Sequence, residues 1–192
     1  MPDHQGIYEI AEGQGGYFSA AQARGAGFTS DLLSYHARAG RFERVARGVY
    51  RLRQYPASPL EDLFIAQLRA GPHSAVSHDS ALALYELSDV LPAEVHLTVP
   101  PMASRRRPGI RQHTLRIAPD EISAREGLRV TTVPRTLADV ARSSVSEDRV
   151  LQAAQEAVDR GLVGYRQLEE AAGRYGGRAA RILRRFLRHR SP

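Results

Sequence analysis

Between residues 19 and 52 glycine cuts the chain into short helical pieces and one tight hairpin, and this punctuation constrains the fold more than any other feature. Ser19-Ala20-Ala21-Gln22 has the S-x-x-Q form of a capping box, in which serine and glutamine satisfy each other's orphan amides at a helix start. Gly25-Ala26-Gly27 stops that helix within two turns. Thr29-Ser30-Asp31 opens another, which runs through Leu32, Leu33, His36 and Ala37 to a stop at Gly40. Phe42 to Val45 and Val49 to Leu52 read as strands, and Ala46-Arg47-Gly48 between them puts glycine where a tight turn needs positive φ. Upstream, Asp3 caps a first helix with Ile7, Ile10 and Ala11 on one face and Gly13 with Gly15-Gly16 at its end, followed by Tyr17-Phe18 as core candidates. Short helices joined by a glycine-containing turn and followed by a hairpin form a winged helix-turn-helix.

Charge is distributed to match. The formal charge is +6, and all 27 basic residues are arginine. Arginine in place of lysine also follows from a GC-rich genome, so position says more than number. Six arginines (38, 41, 44, 47, 51, 53) lie between Arg38 and Arg53 against the single acid Glu43, and Arg174 to Arg190 holds seven with no acid. In a winged helix the third helix enters the major groove by its N-terminal half, which places Thr29, Ser30, Ser34, Tyr35 and Arg38 near DNA. Arg44 and Arg47 would meet phosphate from the wing. A protein-interaction module whose arginines only solvate its surface is the competing reading; the concentration of charge on the two contacting elements favours DNA. His36 falls on the inner face of the third helix and reads as a core histidine.

Gln54 to Pro59 is a proline-containing joint, so the expected division is a DNA-binding domain at 1–55 and a C-terminal domain at 60–192. Apolar periodicity resumes at Leu60, Leu63, Phe64, Gln67 and Leu68 and breaks at Gly71-Pro72. Ser77 caps a helix carrying Ala81, Leu82, Leu84 and Tyr85. Val95–Val99, Ile110–Ile117 and Leu128–Val133 alternate as strands of one small sheet. Pro134 suits the first turn of a helix with Leu137, Val140 and Ala141, and Ser144 to Glu147 offers a second capping box before Val150, Leu151, Ala154 and Val158. Helices from Tyr165 and from about Arg178 follow. The last carries a stripe of Ala179, Ile182, Leu183, Phe186 and Leu187, with Arg181, Arg184, Arg185 and Arg188 around it and no acid nearby in sequence. The fold class is therefore α+β: an N-terminal winged helix-turn-helix, then a mixed α/β domain with a small sheet and a helical C-terminus. Arg105-Arg106-Arg107, in a proline-bounded loop, suits nucleic acid, an acidic protein or plain solvent.

The absence of cysteine removes disulfides and thiolate sites, and neither a signal peptide nor a long apolar run is present, so a cytoplasmic protein is expected. Seven histidines form no compact ligand set, which argues against a metal. Ser77-His78-Asp79 has the residue types of a catalytic triad, yet sequence neighbours do not make that geometry. Gly13-Gln14-Gly15-Gly16 lacks the lysine of a P-loop. No enzyme and no cofactor are expected.

Gly27-Phe28, Leu33, Gly40 and Arg44-Val45-Ala46-Arg47-Gly48-Val49-Tyr50 resemble the N-terminal domain of AbiEi-family antitoxins. Ser77 to Leu82, His96 to Pro100 and Val130 to Asp139, with P-R-T-L-A-D, extend the resemblance over about residues 6–187. It implies a winged helix that binds inverted repeats in its own promoter, and a C-terminal domain that counters a nucleotidyltransferase-like toxin, with or without direct contact. The basic face of Arg181, Arg184, Arg185 and Arg188 is the candidate protective surface. Repression and protection should separate along the chain, with residues 1–55 sufficient for weaker operator binding. A related group carries a nuclease-like domain after the same segments; this sequence, reaching Pro192, is expected to lack it. The alternative is a stand-alone winged-helix regulator whose C-terminal domain binds a small molecule or a partner protein. A nucleic-acid-processing enzyme would need acidic ligands on the sheet, and the strands carry almost none.

Overall fold

The computed structural model describes residues 1–101 and 107–188. By their internal contacts these fall into two units: residues 1–74 with 124–129, and residues 75–101 and 107–123 with 130–188. Arg105 and Arg106 of the arginine loop lie outside the described residues.

In the first unit α1 (His4–Glu12) starts at Asp3, whose carboxylate accepts the Gly6 N–H at 2.8 Å. β1 (Tyr17–Ser19) leads into α2 (Ala20–Gly25), where both halves of the Ser19–Gln22 capping box form. α3 (Ser30–Arg38) starts on Thr29, whose hydroxyl accepts the Leu32 N–H at 3.2 Å. Gly40, at φ +72°, releases the chain into β2 (Phe42–Ala46), and Gly48, at φ +77°, turns it into β3 (Val49–Leu52). β3 is the middle strand, antiparallel to β1 and β2, with Phe18 opposite Tyr50 and Phe42 opposite Leu52. Ile7, Ala11, Phe18, Ala23, Phe28, Leu33, Phe42 and Leu52 close over one core. This is the winged helix-turn-helix that the glycine spacing predicts. The third strand is an addition: Tyr17 and Phe18, read from sequence only as core candidates, also supply the pairing that pins the wing.

α4 (Glu61–Ala70), assigned by sequence to the C-terminal region, groups with the first unit. Phe64 stacks on Tyr17 at 5.0 Å between centroids, and the Tyr17 hydroxyl donates to Glu61 at 2.8 Å while accepting the Ser58 N–H. The buried side of α4 is Phe64, Ala66 and Ala70, whereas Leu63 and Leu68 are only half-buried.

The second unit carries β4 (Ala75–Val76), α5 (His78–Leu84), β5 (Val95–Val99) and β6 (Ile110–Thr114). A 3-10 turn (Pro119–Glu121) precedes β7 (Ile122–Arg125) and β8 (Leu128–Thr131), whose residues 124–129 group with the first unit. The strands form one mixed sheet in the order β6-β5-β4-β8-β7. Two strands end earlier than alternation predicts: β6 at Thr114, and β8 at Thr131, where Val133-Pro134 already begins α6 (Val133–Arg142). α6 packs on α7 (Glu147–Asp159), α8 (Tyr165–Tyr175) and α9 (Gly177–Arg188). Ala179, Ile182, Leu183 and Phe186 of the α9 stripe are buried. Arg178 closes the C-terminal end of α6, donating to the carbonyls of Ala141, Ser143 and Val145 at 2.6 to 2.7 Å, which satisfies acceptors that a helix end leaves open. Among the described residues no helix is long and apolar enough to cross a membrane.

The expected capping box at Ser144–Glu147 does not form. The residue before α7 is Ser146, two positions later and without a side-chain cap, and the Glu147 carboxylate pairs instead with arginines of α9. Ser77 is likewise the residue before α5, but its hydroxyl lies 3.0 Å from Nδ1 of His78 rather than on a helix amide.

Candidate nucleic-acid interface

α3 is two-sided because its apolar residues recur at helical spacing. Leu33 and His36 are buried, and Ser30, Asp31, Ser34, Tyr35 and Arg38 are exposed. Ser30, Ser34 and Arg38 form one ridge at four-residue intervals, with Asp31 and Tyr35 on the next. Tyr35 leaves 55% of its surface in solvent, unusual for a large ring without a partner to cover it. Two of the hydroxyls have prior commitments. Thr29 caps the helix, and Ser34 donates to the Ser30 carbonyl at 2.9 Å, which leaves Ser34 only lone pairs to offer outward. Asp31 shares the exposed face and was not among the residues picked from sequence; its place beside Ser30 and Tyr35 was legible in the helical spacing.

His36 is a core histidine. Its ring meets His4, Phe28 and Phe42 at 5.0 to 5.7 Å, and burial, with the nearby charges of His4 and Arg41, holds its pKa below the usual value.

The hairpin presents Arg44 from β2 and Arg47 from the turn, both exposed, with an irregularity in pairing between Arg44 and Ala46. Of the six arginines from 38 to 53, Arg51 is committed elsewhere. It reaches Glu43 at 2.6 Å and lies 6.0 Å over the Tyr17 ring. Its hydrogen bond and charge keep the Glu43 carboxyl below the usual range. Among the described residues the other five form no ion pair. The local acid is therefore neutralised within the hairpin, and the remaining guanidiniums stay available to an anionic partner.

Residues 6–53 match the family model described as "Transcriptional regulator, AbiEi antitoxin". Over this segment the chain is similar to AbiEi-type regulators. The match covers α1 to β3 and so the whole helix-turn-helix and wing. No curated protein matches the chain. Among solved structures, the crystal structure of the RV2827C protein from Mycobacterium tuberculosis is similar, with a TM-score of 0.54 and 13% identity over 96% of this chain and 75% of that one. At that identity the likeness speaks for the fold alone.

In the second unit, Arg181, Arg184, Arg185 and Arg188 are all exposed on α9, as the periodicity predicts. The expectation that no acid neutralises them does not hold in space. Glu147 of α7 takes Arg185 at 2.8 Å and Arg181 at 3.8 Å, a pairing between residues far apart in sequence.

Two buried polar clusters in this unit were invisible in the sequence. Arg135, 4% exposed, bridges Glu121 at 2.7 Å and Asp139 at 2.8 Å. Tyr175 donates to Glu121 through a short hydrogen bond, and its burial beside that carboxylate pushes the phenol up to about 12. The P-R-T-L-A-D segment thus supplies an i,i+4 pair turned into the core. The second cluster is His78, His96 and His113. His78 and His113 stack at 3.5 Å between centroids, and His96 lies 5.1 Å from His113. Burial, reinforced by neighbouring histidines, pulls His78 down to about 2 and His113 to about 4. His78 holds φ +51°, a conformation rare outside glycine. Among the described residues no group of three or more His, Cys, Asp or Glu could hold a metal ion.

Proposed function

We propose that this chain is a DNA-binding antitoxin that represses its own operon and counters a nucleotidyltransferase-like toxin, acting in the cytoplasm without enzymatic activity or cofactor. The observation that carries the DNA half is the pairing of the exposed face of α3 with a wing whose only acid is already neutralised, within a segment that matches AbiEi regulators. In this reading α3 enters the major groove of double-stranded DNA, at inverted repeats in its own promoter. Ser30, Ser34 and Tyr35 meet base edges, and Thr29 orients the helix start. Arg38, Arg44 and Arg47 contact phosphate. Gel-shift titration on the DNA upstream of its own gene tests this: specific binding that weakens with salt supports it, and binding indifferent to sequence and salt refutes it.

The protective half is placed on α9. Arg184 and Arg188 offer charge that Glu147 does not take, and Arg181 and Arg185 are held in position by it. Exchanging all four for glutamine keeps the buried stripe and removes the charge. Growth with the toxin induced, measured beside operator binding, separates the two roles: lost protection with retained DNA binding supports this surface, and full protection eliminates it.

A further inference from the structure

We infer that the AbiEi module contains a binding site for a small organic carboxylate in the hollow behind α3. The hollow has a volume of about 500 Å³, within the range of small-molecule sites, ~300–1,000 Å³. Its apolar lining comes from Ile7, Phe42 and Leu52, which are between 1% and 5% exposed, and suits a ring or short alkyl body.

The polar features of the hollow call for an acceptor. His36 lines it, is 2% exposed, and has an Nδ1 without a hydrogen-bond partner. Buried polar atoms are almost always satisfied, so an orphan nitrogen beside a cavity points to a missing partner. Burial holds the pKa of this ring below the usual histidine value and so favours the neutral imidazole, which with its proton on Nδ1 would donate one N–H to a carboxylate. Arg41 and Arg53 also line the hollow. The Arg53 N–H donates to the Arg41 carbonyl at 3.0 Å, which makes the two residues cross-strand neighbours. Like charges directly opposite across a hairpin repel, and neither arginine forms an ion pair among the described residues. An anion between them removes that repulsion and gains charge-assisted hydrogen bonds.

The roof of the hollow is the recognition helix itself. The His36 ring lies 5.4 Å from the Tyr35 ring, edge to face, so a ligand on His36 acts one residue away from the exposed face. This coupling to DNA rests on the function proposed above; the site itself does not.

The test is a histidine-ring ¹H–¹⁵N titration of the full chain with benzoate, and separately with inorganic phosphate, at constant ionic strength. Benzoate should move the His36 and His4 signals saturably, while phosphate leaves them in place. His36→Phe should weaken benzoate binding at least tenfold. Arg41→Gln with Arg53→Gln, both at exposed positions, should do the same, and this pair decides the matter if His36→Phe does not fold. Absence of a saturable shift, equal shifts with phosphate (an adventitious ion only), or unchanged binding in the folded variants overturns the site. Operator affinity measured with and without benzoate forms a second arm, with a change of at least threefold expected. Ring shifts without any change in operator affinity would refute the coupling and leave the site; a chain that binds no operator in either condition would refute the functional reading instead.

Discussion

At the scale of single residues, the roles proposed on the winged helix-turn-helix are separable by substitution. Arg47 sits on the turn, where a guanidinium reaches phosphate and carries no sequence information. Arg47→Ala should therefore weaken binding to all sequences about equally and flatten the dependence of log affinity on log salt by about 0.9, as measured by fluorescence anisotropy. Tyr35→Ala should instead change which bases are preferred; if Arg47→Ala relaxed specificity and Tyr35→Ala did not, the assignments would be reversed. Titration behaviour belongs to this scale too. His78 and His113 are held neutral by burial, at about 2 and about 4, whereas an unfolded histidine titrates near 6.5. Both are neutral in either state above that pH. Below it the unfolded chain takes up protons that the folded chain refuses. Stability is thus lost as pH falls from about 6.5, down to about 4 for His113 and about 2 for His78, with a limiting slope of about 1.4 kcal/mol per pH unit for each histidine. Urea unfolding between pH 7 and pH 5 should show the slope, and His113→Gln should reduce it; an unchanged slope would mean that His113 is not held neutral in the fold. Arg135 is a third case. Removing it strands Asp139, whose carboxylate has its hydrogen bond from Arg135, and takes one of the partners of Glu121, so Arg135→Ala should cost about 3–5 kcal/mol in the same assay.

Among elements, local signals were the legible ones. The Asp3 cap, the Ser19–Gln22 capping box, the Thr29 start, and Gly40 and Gly48 in the left-handed region act within a few residues, so the sequence carries them openly. The α9 stripe was readable for the same reason. What was missed depends on contacts distant along the chain. β1 and β4 are three and two residues long, too short for alternation to show, and exist through pairing with β3, β5 and β8. Glu147 reads as a helix cap and serves as an ion-pair partner because α9, thirty-odd residues later, passes beside it. The same blindness hid α4's attachment to the first unit, which depends on Tyr17. Phe64→Ala should accordingly destabilise the first unit by about 3–5 kcal/mol, through loss of a buried ring against Tyr17. Near-ultraviolet circular dichroism during denaturant unfolding checks it, and a loss under 1 kcal/mol would show the stacking to be incidental.

For the whole molecule, the candidate site was legible in position but not in commitment. Helical spacing placed Ser30, Ser34, Tyr35 and Arg38 on one face, yet it could not show that Ser34 already donates to Ser30 or that Glu43 is taken up by Arg51. These pairings sharpen the electrostatics: the wing's acid is quenched internally, and its unpaired arginines favour a polyanionic partner. The most direct measurement is binding of the full chain to the DNA upstream of its own gene and to a scrambled duplex across a salt series. The account predicts tighter binding to the upstream DNA at every salt concentration, with affinity for both falling as salt rises. Equal affinity for the two duplexes with no dependence on salt would contradict it.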